Sequence, residues 1–385
     1  MQISRKLNLY DIESLYDSIG TDSHLRLPIS MSHGGGLGVD AALAQFIVTW
    51  ARACEQSVLH LYAPIEEAIA QIPQVAKSAA GLFALIMSSE IHAEDHQVVD
   101  RREALLAIKP LIEAMFVGDI RNTSSTKGAR PTAINLFSVN YAKREFIKPF
   151  YFDHSSPQVQ PGSWFSDLIS NSSAFLTANK DRASLLKAGL PELGSVLYEL
   201  IDNADQHAVT DVVGNKYRKA LRGTSIKFNR ISRQDALGYS DREPELARFI
   251  LKHFLRSEIL DFLEISVIDS GPGLARRWLT AREGRPIESL ERLDFDEELS
   301  ATIDCFKKHV SSKPDPETSG FGLHNALQAL NKLKAYVRVR TGRLSLNQAF
   351  QGRSGTMEFE PSARGTKERL AAAEGTVFTI CIPVG

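Results

Sequence analysis

Apolar residues recur every three or four positions through Leu193, Val196, Leu197, Leu200, Ile201, Ala204 and Ala208, so residues 191–208 are predicted as an amphipathic helix with one buried stripe. Pro191 suits its first position, where a missing N–H costs nothing. On a different face Glu199, Asn203 and His207 fall four apart and stack along the helix. Downstream, alternation puts Leu263, Ile265 and Val267 on one face of a strand over 262–269, and Asp269 shares their parity. A carboxylate on the apolar side of a strand is costly unless something pairs with it. A final strand over 375–383 likewise sets Thr376 in phase with Phe378, Ile380 and Ile382. Between them, Leu323, Ala326, Leu327, Leu330 and Leu333 mark a helix opened by Gly320-Phe321-Gly322.

The remaining pattern fills in the second half. Helices are expected at 164–175 and 181–188, a strand at 224–231, a charged helical insertion at 243–260, and strands at 335–340, 343–346 and 356–360. The first half opens with a short strand at 24–29, the turn His33-Gly34-Gly35-Gly36-Leu37-Gly38, a helix at 40–54 with Leu43, Phe46, Ile47 and Trp50 on one face, and a strand at 58–62. That order is a β-α-β unit. Helices follow at 65–75, 82–94 and 102–116, then the polar stretch 121–130, which reads as an exposed loop, and a Pro- and Ser-containing linker at 154–163. The expected organisation is an α/β domain over 1–160 and a second α/β domain over 161–385.

The 385 residues, 43% hydrophobic and 24% charged, have the composition of a globular chain with a sizeable core. A net charge of −1 gives no general attraction to nucleic acid or an anionic membrane. No apolar run is long enough to span a bilayer, and the N-terminus lacks a signal-peptide core. Cys54, Cys305 and Cys381 are scattered, which suits reduced thiols in a cytoplasm.

Candidate chemistry concentrates in the second half. The Glu199, Asn203 and His207 face suits a metal-bound polyanion, with a solvated polar face as the plain alternative. The glycines of Ser270-Gly271-Pro272-Gly273 let backbone approach a ligand closely. Glycines at a helix N-terminus, as at Gly320 and Gly322, leave bare N–H groups suited to phosphates. The glycine turn at 33–38 lacks the Lys-Ser/Thr ending of a phosphate loop.

Taken in order, Glu199-x-x-x-Asn203-Ala204-x-x-His207, Asp269-x-Gly271-x-Gly273, Gly320-x-Gly322-Leu323 and Gly375-Thr376 resemble the GHKL superfamily of ATP-binding domains. Its members include the gyrase B subunit, MutL, heat-shock chaperones, histidine kinases, anti-sigma-factor kinases and MORC proteins. The resemblance covers about residues 165 to 385; the first 160 are only loosely similar to STAS-like modules. It implies a Bergerat α/β sandwich whose mixed sheet is covered by helices on one face. An insertion would lie at about 232–260 and an ATP lid at about 274–319. It further implies that Asp269, helped by Thr376, accepts a hydrogen bond from the adenine amino group, while Gly271 and Gly273 pass beside the base. Asn203 would coordinate Mg²⁺, Gly320, Gly322 and Leu323 would offer backbone N–H groups to phosphates, and His207 would lie near phosphate or ribose. Glu199 holds the place of the general base. The lid interval carries Arg276, Arg277, Arg282, Arg285, Lys307, Lys308 and Lys313, basic residues able to clamp a triphosphate.

Two departures narrow the function. His24-Leu25-Arg26-Leu27-Pro28 imitates a histidine-kinase phosphoacceptor, but its spacing is one short and its pattern is a strand. No transducer domain follows the last strand, so output is expected through the first region, the insertion, or a protein partner or homodimer. The readings are then a slow Mg²⁺-dependent ATPase switching a partner, a serine/threonine kinase of the anti-sigma type, or a non-hydrolysing ATP sensor. A fragment from about 164 to 385 contains all four motifs and is expected to fold and bind Mg·ATP alone.

Overall fold

A computed structural model of the chain describes residues 1–29, 37–127, 130–152, 157–177, 186–239, 243–254, 257–286, 290–307, 322–352, 358–363 and 370–384. The fold is α/β, built on two sheets. The smaller is parallel, with strands β1 (His24–Arg26), β2 (Val58–His60) and β3 (Glu90–His92) side by side. Helix Val39–Ala53 connects β1 to β2, and helices Ile65–Val75 and Ala79–Met87 connect β2 to β3. The expected helix at 82–94 therefore ends early. Ser88 adopts an extended conformation (φ −58°, ψ 150°), and Glu90-Ile91-His92 pairs with β2 instead.

The larger sheet has eight antiparallel strands: β4 (Ser124–Lys127), β5 (Arg130–Val139), β6 (Leu221–Ser232), β7 (Ile259–Asp269), β8 (Tyr336–Gly342), β9 (Leu344–Ala349), β10 (Ser362–Ala363) and β11 (Ala373–Val384). Their spatial order is β10-β9-β8-β11-β7-β6-β5-β4. The stretch 121–130, read as a loop, carries β4 and leads into β5. The Ser125 hydroxyl and the Asn135 amide nitrogen both donate to the Lys77 carbonyl, and that nitrogen also donates to Ser125 Oγ, which pairs donors of a polar sequence inside the sheet. Both strands precede residue 160, so the sheet draws on each side of the expected boundary. Of the expected strand at 356–360, the described residues 358–360 are irregular, and of the expected helix at 181–188 most lies outside the described residues. Among its described residues the insertion is helical at Arg233–Leu237 and Pro244–Leu251, and β7 begins at Ile259.

Directly opposed residues of an antiparallel ladder share a face. On one face Leu263, Ile265 and Val267 stand opposite Ile382, Ile380 and Phe378. This face takes helix Leu190–His207, which packs beside helices Gly162–Thr177 and Gly322–Lys332. Every residue of the predicted stripe on Leu190–His207, from Leu193 to Ala208, is buried.

The other face is covered as well, rather than left open. Helix Val39–Ala53 lies across β11 and β7, and Val39 to Trp50 are buried without a break because small-sheet helices cover its far side. The sheet face beneath it is polar. Lys227 meets Asp40 at 3.4 Å, Asn229 donates to Glu264 at 2.9 Å, and Arg340 grips Glu13 of helix Leu9–Leu15 through two nitrogens. Burial pushes the Glu264 carboxyl up, opposed by the Lys227 charge. The three cysteines are free thiols. No helix among the described residues is long and apolar enough to cross a membrane.

Candidate active site

One row crosses the end of the large sheet: Arg222 on β6, Asp269 on β7, Thr376 on β11 and Thr341 on β8 are successive partners. The parity read from sequence thus sets Asp269 on the face covered by helix Leu190–His207. It is 7% exposed, and its Oδ1 accepts the Gly271 N–H at 2.8 Å and the Thr376 N–H at 3.2 Å. Burial raises its carboxyl to about 6, opposed by those two N–H donors and the Arg52 charge.

Two glycines are required by close approach. A Cβ on Gly271 would stand 2.7 Å from the Ala208 Cα at the end of the helix. Gly375 has φ +75°, and a Cβ there would fall 2.0 Å from the Asp269 carbonyl oxygen. The segments carrying them are tied by the Gly375 N–H donating to the Gly271 carbonyl at 2.6 Å. Gly273 opens the next helix, Leu274–Glu283, and the Leu274 N–H donates to Thr341 Oγ1 at 2.9 Å.

Glu199, Asn203 and His207 are half-buried on helix Leu190–His207. Glu199 Oε1 accepts from Asn325 Nδ2 at 3.0 Å, and a Cβ on Gly322 would meet Glu199 Oε2 at 3.0 Å. The start of helix Gly322–Lys332 therefore lies against Glu199, with Leu323 turned into the core at 7% exposure. Gly320 lies outside the described residues. The helix thus has Gly322 beside Glu199 and the Asp269 turn at Ala208. Nine residues at 1.5 Å rise separate them by about 13.5 Å.

Basic residues of the interval after Gly273 are engaged within the protein. Arg277 donates to the His207 and Thr210 carbonyls, Arg276 pairs with Glu374, Arg285 pairs with Glu283 and Glu297, and Lys307 pairs with Asp304. Arg282 lies over the Trp278 ring. Helices Leu274–Glu283 and Phe295–Asp304 share a small core of Ala275, Trp278, Leu279, Leu290, Leu293 and Ala301. Lys308 and Lys313 lie outside the described residues.

Several contributors escaped the sequence reading. Arg222, 3% exposed, donates to Asp205 at 2.8 Å, Asn140 at 2.7 Å and Glu145 at 3.1 Å, while the Tyr151 hydroxyl donates to Asp205 at 2.7 Å. This network fixes the last turns of helix Leu190–His207 against β6. Arg222 and Thr341 share the apolar parity of their strands, the same signal that singled out Asp269. Asn325 and Arg52 carry no comparable sequence signal. On the small sheet His24 Nδ1 lies 2.7 Å from His60 Nε2, with the His92 and His96 rings packed on His60. Burial and those neighbours lower His60 to about 4. Among the described residues no group of three His, Cys, Asp or Glu side chains is placed to hold a metal ion. No protein-family model and no curated protein matches the chain.

Proposed function

We propose that the chain binds Mg·ATP between Asp269 and the Glu199–His207 helix face and hydrolyses it slowly, as a nucleotide-driven switch acting on a protein partner or a second copy. The observation that carries this reading is the buried Asp269 carboxylate, oriented by two backbone N–H groups at the end of a helix that bears Asn203 and Glu199. An ionised carboxylate accepts only. It would accept a hydrogen bond from the adenine amino group, whereas the guanine keto group in that place has no proton to donate. The Thr376 hydroxyl, 3.5 Å from that of Thr341, is the next polar group along the row.

Mg²⁺ takes oxygen ligands and draws most of its shell from phosphates and water. The half-buried Asn203 amide fits the small protein share of such a shell, and the ion would offset charge on the phosphate oxygens. Glu199, one turn earlier, is steadied by Asn325. Its carboxylate would take a proton from attacking water as a general base. Gly322 would present its backbone N–H at the same end.

Phosphate release by purified protein with Mg·ATP tests the reading. Glu199→Ala should retain ATP binding and lower release by about 100-fold. Equal rates in parent and variant would remove Glu199 as the base. Transfer of labelled phosphate to a protein serine would move the assignment to a kinase, and tight binding with neither release nor transfer would move it to a sensor.

A further inference from the structure

Asp269 is oriented by N–H groups from the turn at 270–273 and from the bulged start of β11 at 374–376, and neither segment is held by the large sheet alone. Helix Val39–Ala53, 219 to 330 residues away in sequence, reaches both. Gln45, Thr49 and Arg52 fall on one helix face. The Gln45 amide donates to the carbonyls of Gly375 at 3.2 Å and Arg340 at 3.0 Å. Thr49 Oγ1 accepts the Glu374 N–H at 2.9 Å. Arg52 meets Glu374 Oε2 at 3.1 Å, comes within 3.5 Å of the Gly271 carbonyl, and stacks 3.7 Å from the Tyr217 ring centroid. The other Glu374 oxygen takes Arg276 at 3.2 Å, in the first turn of helix Leu274–Glu283. One carboxylate therefore bridges helix Val39–Ala53 and the helix that follows the Gly271 turn. The three segments Arg52 touches, at Tyr217, Gly271 and Glu374, surround the Asp269 end of the site.

We propose that Gln45, Thr49 and Arg52 are positioning residues for the nucleotide site, so that ATP binding and docking of the N-terminal region favour one another. The proposal rests on the ATP reading above. It assigns the first region a role in the site: the segments that aim Asp269 are set from behind the sheet. Coupling is reciprocal, so ATP must hold helix Val39–Ala53 in place as much as the helix aids ATP.

The test uses the full chain, measuring Mg·ATP affinity by calorimetry and amide hydrogen exchange with and without nucleotide. Arg52→Ala should weaken ATP by about tenfold. Arg52→Lys should recover only part, because an ammonium keeps the charge and loses the fork and the stacking. In the parent, ATP should slow exchange across residues 39–53. In Arg52→Ala that slowing should vanish while residues 269–276 remain protected, an outcome that general destabilisation would not produce. If Arg52→Ala does not fold, Arg52→Lys and Gln45→Ala carry the same comparison. A parent that binds ATP without slowed exchange in 39–53, or folded variants with parental affinity, overturns the proposal and leaves the nucleotide reading standing. A parent that binds no ATP removes both.

Discussion

At the scale of single residues, Asp269 is held between opposing demands. Burial raises its carboxyl to about 6, while the Gly271 and Thr376 N–H groups favour the charged form. Accepting from an adenine amino group needs that charged form, so under the proposed function a proton on Asp269 would compete with ATP. Affinity should be flat well above pH 6 and weaken as pH falls through about 6. It should approach a loss of about tenfold per pH unit once the carboxyl is mostly protonated. Calorimetry across that range checks this, and a flat profile through it would separate Asp269 from the nucleotide. The residue was legible in the sequence because a charged group at apolar parity is rare enough to demand a partner. Its neighbours Arg222 and Asp205 were less so. Their pairing joins β6 to helix Leu190–His207; the parity of Arg222 calls for a partner, but nothing local in either stretch says that Asp205 is the one.

At the scale of elements, the helices with clear three- and four-residue periodicity were legible nearly to their ends. The pattern over 191–208 matches helix Leu190–His207, and that over 65–75 matches helix Ile65–Val75. What the pattern could not supply was partnership. Ala133 to Val139 form an apolar-rich run that reads as a strand once a neighbour is known, and β6 is that neighbour. The helix at 40–54 showed one apolar face, yet its polar residues are buried too, because they meet a polar sheet face from a distant part of the chain. A fragment from about 164 to 385 keeps every nucleotide motif but loses β5 and helix Val39–Ala53. It would expose the β6 edge and the back of β7 and β11. An unpaired central strand is a template for aggregation. The fragment should therefore be insoluble or fail to bind ATP, while the full chain stays soluble and binds. Size-exclusion chromatography with ATP titration decides it, and a monomeric fragment with parental affinity would show that the covering elements are dispensable.

At the scale of the whole molecule, one contiguous hydrophobic cluster runs from Ile3 to Val384, joining the small sheet, the central helices and the large sheet. The chain is organised as a sheet clamped from both sides. Helix Leu190–His207 carries the candidate chemistry on one face, and helix Val39–Ala53 supports the segments around Asp269 from the other. The proposed function depends on Asp269 reading adenine. The most direct measurement is calorimetric titration of the folded parent and of Asp269→Asn with Mg·ATP and Mg·GTP. An amide in place of the carboxylate mispairs with the amino group at a buried site, so ATP affinity should fall by about tenfold to a hundredfold. GTP should bind the parent poorly. Unchanged ATP affinity in a folded Asp269→Asn protein, or equal binding of ATP and GTP by the parent, would contradict the assignment.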